Sequence, residues 1–354
     1  MSVTAWPFLT LDQAAPDQNL DIGNLEWQCL WVHDHLPPEA TEAIPRPYGR
    51  HRVVLHLFSG RRRHGDIQYY MDSIAQQQQD FILHVISLDI VIDELLGDVT
   101  KASTSDFWLD SIRRGLIIAL ISGPPCETWS RARGVQLEGS ESSTTWASTR
   151  GPRILRALHD LWGFDCLTIR ELHQVCVGNA LLGFTLLALL ELAAVDGYGL
   201  LEHPAEPEDD AQAASIWRLP LVKTITELPH FELLRFSQGL LGAKSPKPTN
   251  LLTLRMPGLI RCLHSHRLCT ELPRGTSIGK STTGLWQTSS LKEYPPAMCL
   301  CLATALLHSI SSRPIDSTVA DPPSDFLATC EKFVQQDLGG HFGADYAQRD
   351  RRYS

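Results

Sequence analysis

The sequence predicts an α/β fold: a mostly parallel, doubly wound sheet with helices on both faces. Three observations lead there. Short apolar runs stop at Gly, Asp or Pro. Stretches with helical periodicity separate them, and such alternation builds a parallel sheet covered on both sides. The residues with chemistry to offer cluster at the ends of the runs, where an open α/β sheet places its ligand.

Taken in order, Arg52–Gly60 reads as a buried strand ending at glycine. Ile67, Tyr70, Met71, Ile74 and Ala75 then fall on one helical face. Phe81–Ile90 and Leu116–Ser122 read as the second and third strands. A long helical stretch covers Ile154–Ala194, broken near Gly163 and Gly178. Tyr198–Glu202 is a short strand stopped by Pro204. Residues 1–49 form an irregular leader in which Trp27 and Trp31 stand close together. The domain proper spans 50–310, and a tail over 311–354 holds one short helix, Asp325–Leu338. Fraying is expected at both ends.

The 354 residues suffice for one large domain, and 43% are apolar, so a core of ordinary size is available. The net charge of −9 weighs against tight nucleic-acid binding by the chain as a whole. Nine cysteines at irregular spacing, behind an N-terminus with no secretory pattern, read as free thiols in an intracellular reducing compartment. The apolar run Ala180–Val195 contains Glu191 and reads as a buried helix rather than a membrane span. Cys262, His264, His266 and Cys269 match no standard zinc spacing, so no metal is expected.

The strand ends carry the functional signal. The first closes on Phe58-Ser59-Gly60, the second on Asp89 followed by Gly97-Asp98, the third on Gly123-Pro124-Pro125-Cys126, and the last on Glu202. A glycine at the first turn lets a nucleotide-like cofactor approach, and a carboxylate at the second strand can accept from ribose hydroxyls. A further acid such as Asp98 can accept from an adenine amino group. A thiol on a proline-stiffened loop beside a carboxyl makes a nucleophile and proton-donor pair.

In this order the motifs resemble those of the DNA cytosine-5 methyltransferase family. His56-Leu-Phe-Ser-Gly60 is similar to its first motif, Pro125-Cys126-Glu127-Thr128-Trp129-Ser130 to its cysteine loop, Glu202-His203-Pro204 to its Glu-Asn-Val, and Gly242–Thr249 to its later basic motif. Lys292-Glu293-Tyr294-Pro295 and the run to Ile310 look like its closing helix. The resemblance implies a Rossmann-like class I methyltransferase. Its cofactor would be S-adenosylmethionine, held by Phe58, Ser59, Gly60, Asp89, Asp98 and Pro124. It also implies attack by Cys126 on C6 of a flipped cytosine, with Glu202 at ring N3. DNA is the implied partner, with RNA open, and nuclear residence follows from that substrate. Arg131, Arg133, Lys244 and Lys247 are the candidate nucleic-acid contacts, within a basic stretch that also holds Arg150, Arg153 and Arg156.

The sequence departs from the family at Arg61-Arg62-Arg63, where the family has glycines, and in replacing its Gln-x-Arg-x-Arg by lysines. Gln174–Ala180 resembles the family's late Gly-Asn motif but stands between the cysteine loop and Glu202, where it reads as a kinked core helix. Too little chain precedes the closing helix for a target-recognition domain, so a separate chain would supply that role. Two other readings stay open: a catalytically silent module on the same fold, and an amino-methyltransferase using Ser122-Gly-Pro-Pro.

Overall fold

The computed structural model describes residues 48–77, 80–130, 133, 152–275 and 292–334. Outside them lie the leader up to residue 47 with Trp27 and Trp31, Arg131, Arg150, and the expected helix beyond Val334. The chain forms an α/β structure around one six-stranded mixed sheet, mostly parallel. Its strands are β1 (His51–Leu57), β2 (Ile82–Leu88), β3 (Ile117–Ser122), β4 (Tyr198–Pro204), β5 (Phe231–Ser237) and β6 (Pro248–Leu254). They lie in the order β2-β1-β3-β4-β6-β5. β1 pairs in parallel with β2 and β3, and β3 with β4; β6 runs antiparallel to both its neighbours. The strand order reverses between β1 and β3, so their carboxyl ends flank the switch point.

The helices are α1 (Ile67–Ala75), α2 (Ala102–Arg113), α3 (Ile169–Ala194), α4 (Pro220–Glu227), α5 (Leu259–Ser265), α6 (Pro296–Ser311) and α7 (Ser324–Val334). Alternation along each strand divides the core. Leu55, Leu57, Leu120 and Leu201 pack with Trp108 and Ile112 of α2, the apolar side of α3, and α4. Val54, Ile121, Leu200 and Leu251 pack with Ile67 and Met71 of α1, and with α5 and α6. The helices thus cover both faces. α3 is long and apolar enough to cross a bilayer by length and composition, but Leu182, Leu186, Leu189 and Leu192 are spent on the sheet.

Three expectations change. The helical stretch predicted from Ile154 starts only at Ile169, where Thr168 and Glu171 form a capping box, and it runs unbroken through Gly178. Strands β5 and β6 had no forecast. β5 sits at the sheet edge and exposes Glu232, Leu233 and Arg235, so its apolar signal is weak. Finally, α7 is docked: Phe326 and Cys330 are buried against the core beside β2. Tyr48 is also tied in, bridging to Ile315 and donating its hydroxyl to the Asp196 carbonyl at 2.9 Å.

Candidate active site at the carboxyl edge

At the first strand end the backbone leaves β1 through Phe58 (φ 56°) and Gly60 (φ 67°). A bulky residue at positive φ stores strain, which the surrounding contacts must hold. The Gly60 amide donates to Asp89 Oδ2 at 2.9 Å, the Val91 amide donates to Oδ1 at 3.1 Å, and Asp89 is buried. The first turn and the second-strand carboxylate therefore meet. Gly97 lets the chain close behind them, since a Cβ there would lie 2.4 Å from the Asp89 carbonyl oxygen. Asp98 accepts from the Thr100 amide at 3.2 Å and faces Lys101 Nζ at 3.5 Å. Close by, a cavity of about 10 Å³ between Val99, Leu109 and Phe184 has room for a single water.

Two of the arginines after Gly60, Arg62 and Arg63, fold back onto the protein. Arg62 is buried and its Nε donates to Asp66 Oδ2 at 2.9 Å. Asp66 also accepts from the Arg63 amide and, as N-cap of α1, from the Tyr69 amide. The Arg63 guanidinium reaches the Tyr294 carbonyl at 2.8 Å and Glu293 at 3.4 Å.

The second half of the edge is built on β3 and β4. Ser122 pairs with Leu201, so Glu202 emerges level with Gly123. Glu202 is buried. Gln238 Nε2 donates to its Oε1 at 2.9 Å, the Tyr294 hydroxyl donates to its Oε2 at 3.2 Å, and Lys247 Nζ stands 4.0 Å from Oε1. Burial raises its carboxyl above the usual carboxylate range, outweighing Lys247 and the two hydrogen bonds. Gly123 is required here: a Cβ would fall 2.1 Å from the Tyr294 hydroxyl oxygen. Cys126 is partly exposed, on the loop that follows buried Pro124. Burial, helped by Glu127 and Glu202, pushes its thiol up to about 12, against the pull of Lys247 and Lys292. A Cβ on Gly123 would also lie 3.5 Å from Glu202 Oε2, so the loop that carries Cys126 leaves β3 beside Glu202 and Lys247. Lys292 also bridges to Glu127 at 2.8 Å. The segment from Lys292 to Tyr294 thus spans the edge, touching the loops after β1 and β3 and the end of β4.

A brace fixes the cysteine loop from behind. Buried Arg156 donates to Thr128 Oγ1 from Nε (3.1 Å) and Nη2 (3.0 Å), to Asn179 Oδ1 (2.7 Å), and to the carbonyls of Leu161 (2.8 Å) and Val175 (3.1 Å). Its guanidinium lies 4.0 Å from the Trp129 ring centre. Gly178 makes room for this: a Cβ there would approach Thr128 Oγ1 to 3.0 Å. The Gly178-Asn179 pair is therefore a seat for the loop, not a kink.

Of the expected nucleic-acid contacts, Lys247 is in the site and Lys244 is exposed on the loop before β6. Arg133 directs its nitrogens to the carbonyls of Glu127 (2.7 Å) and Arg153 (3.1 Å) and to Gln174 Oε1 (3.0 Å). It closes the loop rather than facing outward, and Arg156 is likewise internal. Arg131 lies outside the described residues. Sequence reading missed Gln238, Tyr294 and Arg156 as site members; only the Gly-Asn pair hinted at the last. Among the described residues no cluster of three or more His, Cys, Asp or Glu could hold a metal. Searches against protein-family models, curated proteins and solved structures found no match to this chain.

Proposed function

We propose that the carboxyl edge transfers a methyl group to C5 of cytosine in nucleic acid, on a class I methyltransferase variant of this Rossmann-like fold. The observation that carries the reading is that the loop bearing Cys126 leaves β3 beside the buried Glu202 and its neighbour Lys247, at the carboxyl edge of the sheet. Cytosine C5 becomes nucleophilic only when a thiolate adds to C6. In the proposed reaction Cys126 Sγ forms that bond and the ring electron pair moves toward C5. Glu202, whose burial favours its protonated form, donates to N3 as negative charge develops. Gln238 and Tyr294 hold the carboxyl in place. A protonated Glu202 also ceases to oppose the thiolate, leaving Glu127 as the acidic group set against Lys247 and Lys292. A base later removes the C5 proton and the thiolate departs.

S-adenosylmethionine, when bound, supplies the electrophilic methyl group. The residues suit its nucleoside half: Asp89 stands at the end of the second strand, beside the Gly60 turn, where a carboxylate can accept from ribose hydroxyls. Phe58, Ser59, Gly60 and Pro124 would line that side, with Asp98 toward the adenine. DNA is the proposed polymer and RNA the alternative; with Arg133 and Arg156 turned inward, a separate chain supplies target recognition.

One observation favours a second reading, a catalytically silent module: Arg62 and Arg63 fill the turn where a cofactor backbone contact is wanted, and the cavity beside Asp98 is water-sized. The test uses 5-fluorocytosine in duplex DNA and in RNA, with S-adenosylmethionine. The fluorine cannot leave as a proton would, so turnover stalls as an adduct on Cys126. A denaturation-resistant adduct, lost in Cys126→Ala, is the expected result. No adduct on either polymer, with no cofactor binding up to millimolar concentration by calorimetry and no change in Asp89→Ala, would establish the silent module.

A further inference from the structure

The opposite edge of the sheet holds a groove of about 840 Å³ that the reaction above does not use. It opens where β4 and β5 begin and β6 ends, since Gly199 and Phe231 both pair with Leu254. We infer that this groove is a second binding site, for a small ligand carrying a phosphate group on a planar apolar body.

Its volume falls within the range of small-molecule pockets, which combine an apolar lining with a few placed polar groups. Phe231, Met256 and Pro257 provide the apolar part. The polar part is cationic. Arg261 lines the groove and makes no ion pair among the described residues. His230 and His308 add two imidazoles.

Behind them stands a fixed positive base. Arg255 and Arg313 share the buried Asp196, Arg255 through Nε at 2.9 Å, and Arg313 through a short bond to the other oxygen. Arg255 is further pinned to the Gly197 carbonyl at 3.2 Å, and Arg313 stacks 5.3 Å from both the Tyr48 and Tyr198 rings. Two guanidiniums converge on this one carboxylate, which holds both in place behind the groove. Preorganised positive charge is what anion recognition needs. Asp196 (φ 63°), His230 (φ 70°) and Arg255 (φ 55°) are also three of the five non-glycine residues at positive φ among those described. Strained backbone of this kind gathers at ligand sites.

Glu232 is the counterweight. It lines the groove and is exposed, and no bond to its carboxylate is seen among the described residues. It would repel a phosphate and so supplies a test in the direction of gain. The probes are phenyl phosphate and inorganic phosphate, titrated into the full-length chain by calorimetry at low salt. Phenyl phosphate should bind in the micromolar to submillimolar range and inorganic phosphate at least tenfold more weakly. Arg261→Ala should weaken phenyl phosphate at least tenfold, with an unchanged melting midpoint. Glu232→Gln should tighten it several-fold, an effect that misfolding cannot imitate. Phosphate binding as tightly as phenyl phosphate would refute the apolar half of the proposal. Absence of binding at millimolar probe, or binding indifferent to both substitutions, would overturn the site. Neither outcome bears on Cys126 chemistry.

Discussion

Replacing Arg156 by alanine should lower stability by about 4 kcal/mol and loosen the cysteine loop. The guanidinium makes five hydrogen bonds of 2.7–3.1 Å and lies 4.0 Å from the Trp129 ring. A hydrogen bond from a charged donor contributes about 1.5–3 kcal/mol, and a desolvated cation–π contact about 2. A plain sum overshoots, because the contacts share one rigid group, and Val175 and Leu161 belong to backbone that can relax toward other donors. A loss of about 3–5 kcal/mol is the range for breaking a buried polar network. At roughly 2–3 °C per kcal/mol for a chain of this size, the melting midpoint should fall by about 10 °C. Arg156→Lys keeps the charge but loses the fork, and should recover less than half of the loss. Alkylation of Cys126, followed by peptide mass spectrometry, should quicken in Arg156→Ala while Cys166 is unaffected. A midpoint shift under about 2 °C, or full rescue by lysine, would refute the brace.

Gly123→Ala places a methyl group on the Tyr294 hydroxyl and should cut the yield of the 5-fluorocytosine adduct by about 100-fold, the scale of losing a placed hydrogen-bond donor; an unaffected yield would mean that Tyr294 does not position Glu202. In the free protein the Cys126 thiol, pushed up to about 12, is about one part in 10⁴ thiolate at pH 8, so iodoacetamide should label it at least 100-fold more slowly than exposed Cys166. Acid should destabilise the fold through two buried histidines. Desolvation lowers His56 to about 4 and His203 to about 3. Between those values and about 6.5 the unfolded chain binds protons that the folded chain refuses. Stability is therefore full above about pH 6.5 and falls as pH drops, by roughly 4 kcal/mol at pH 5 for the pair. Asp72, raised to about 6 by burial, gains stability in the same window and offsets part of the loss. Denaturant titrations from pH 8 to 5 should show the decline, and His203→Phe should remove about half of it.

The strand ends were readable because a parallel sheet sends its chemistry to one edge, and that edge coincides with visible punctuation. Gly60 and Asp89 themselves close apolar runs, Cys126 follows Pro125, and Glu202 stands two residues before Pro204. The hydrogen-bond partners of Glu202 were not readable. Gln238 is 36 residues away and Tyr294 is 92, and neither has a local signature that distinguishes it from other polar side chains. Gly178 misled for a physical reason. Its propensity argues for a break, but the missing Cβ serves packing by Thr128 and Arg156 from outside the helix. Arg62 and Arg63, which stand where the family has glycines, fasten the turn to α1 and to the segment before α6.

Only β6 runs against the grain of the sheet. Each parallel strand brings its carboxyl end to the Cys126 edge, whereas the reversed strand starts there and finishes at the other. Lys247 immediately precedes β6, beside Glu202, and Arg255 immediately follows it, clamped on Asp196. Seven residues at about 3.4 Å each make it a spar of roughly 24 Å. It is laddered on both sides, to β4 and to β5. The two edges are thus the ends of one strand, which carries a lysine beside Glu202 where it starts and an arginine on Asp196 where it stops.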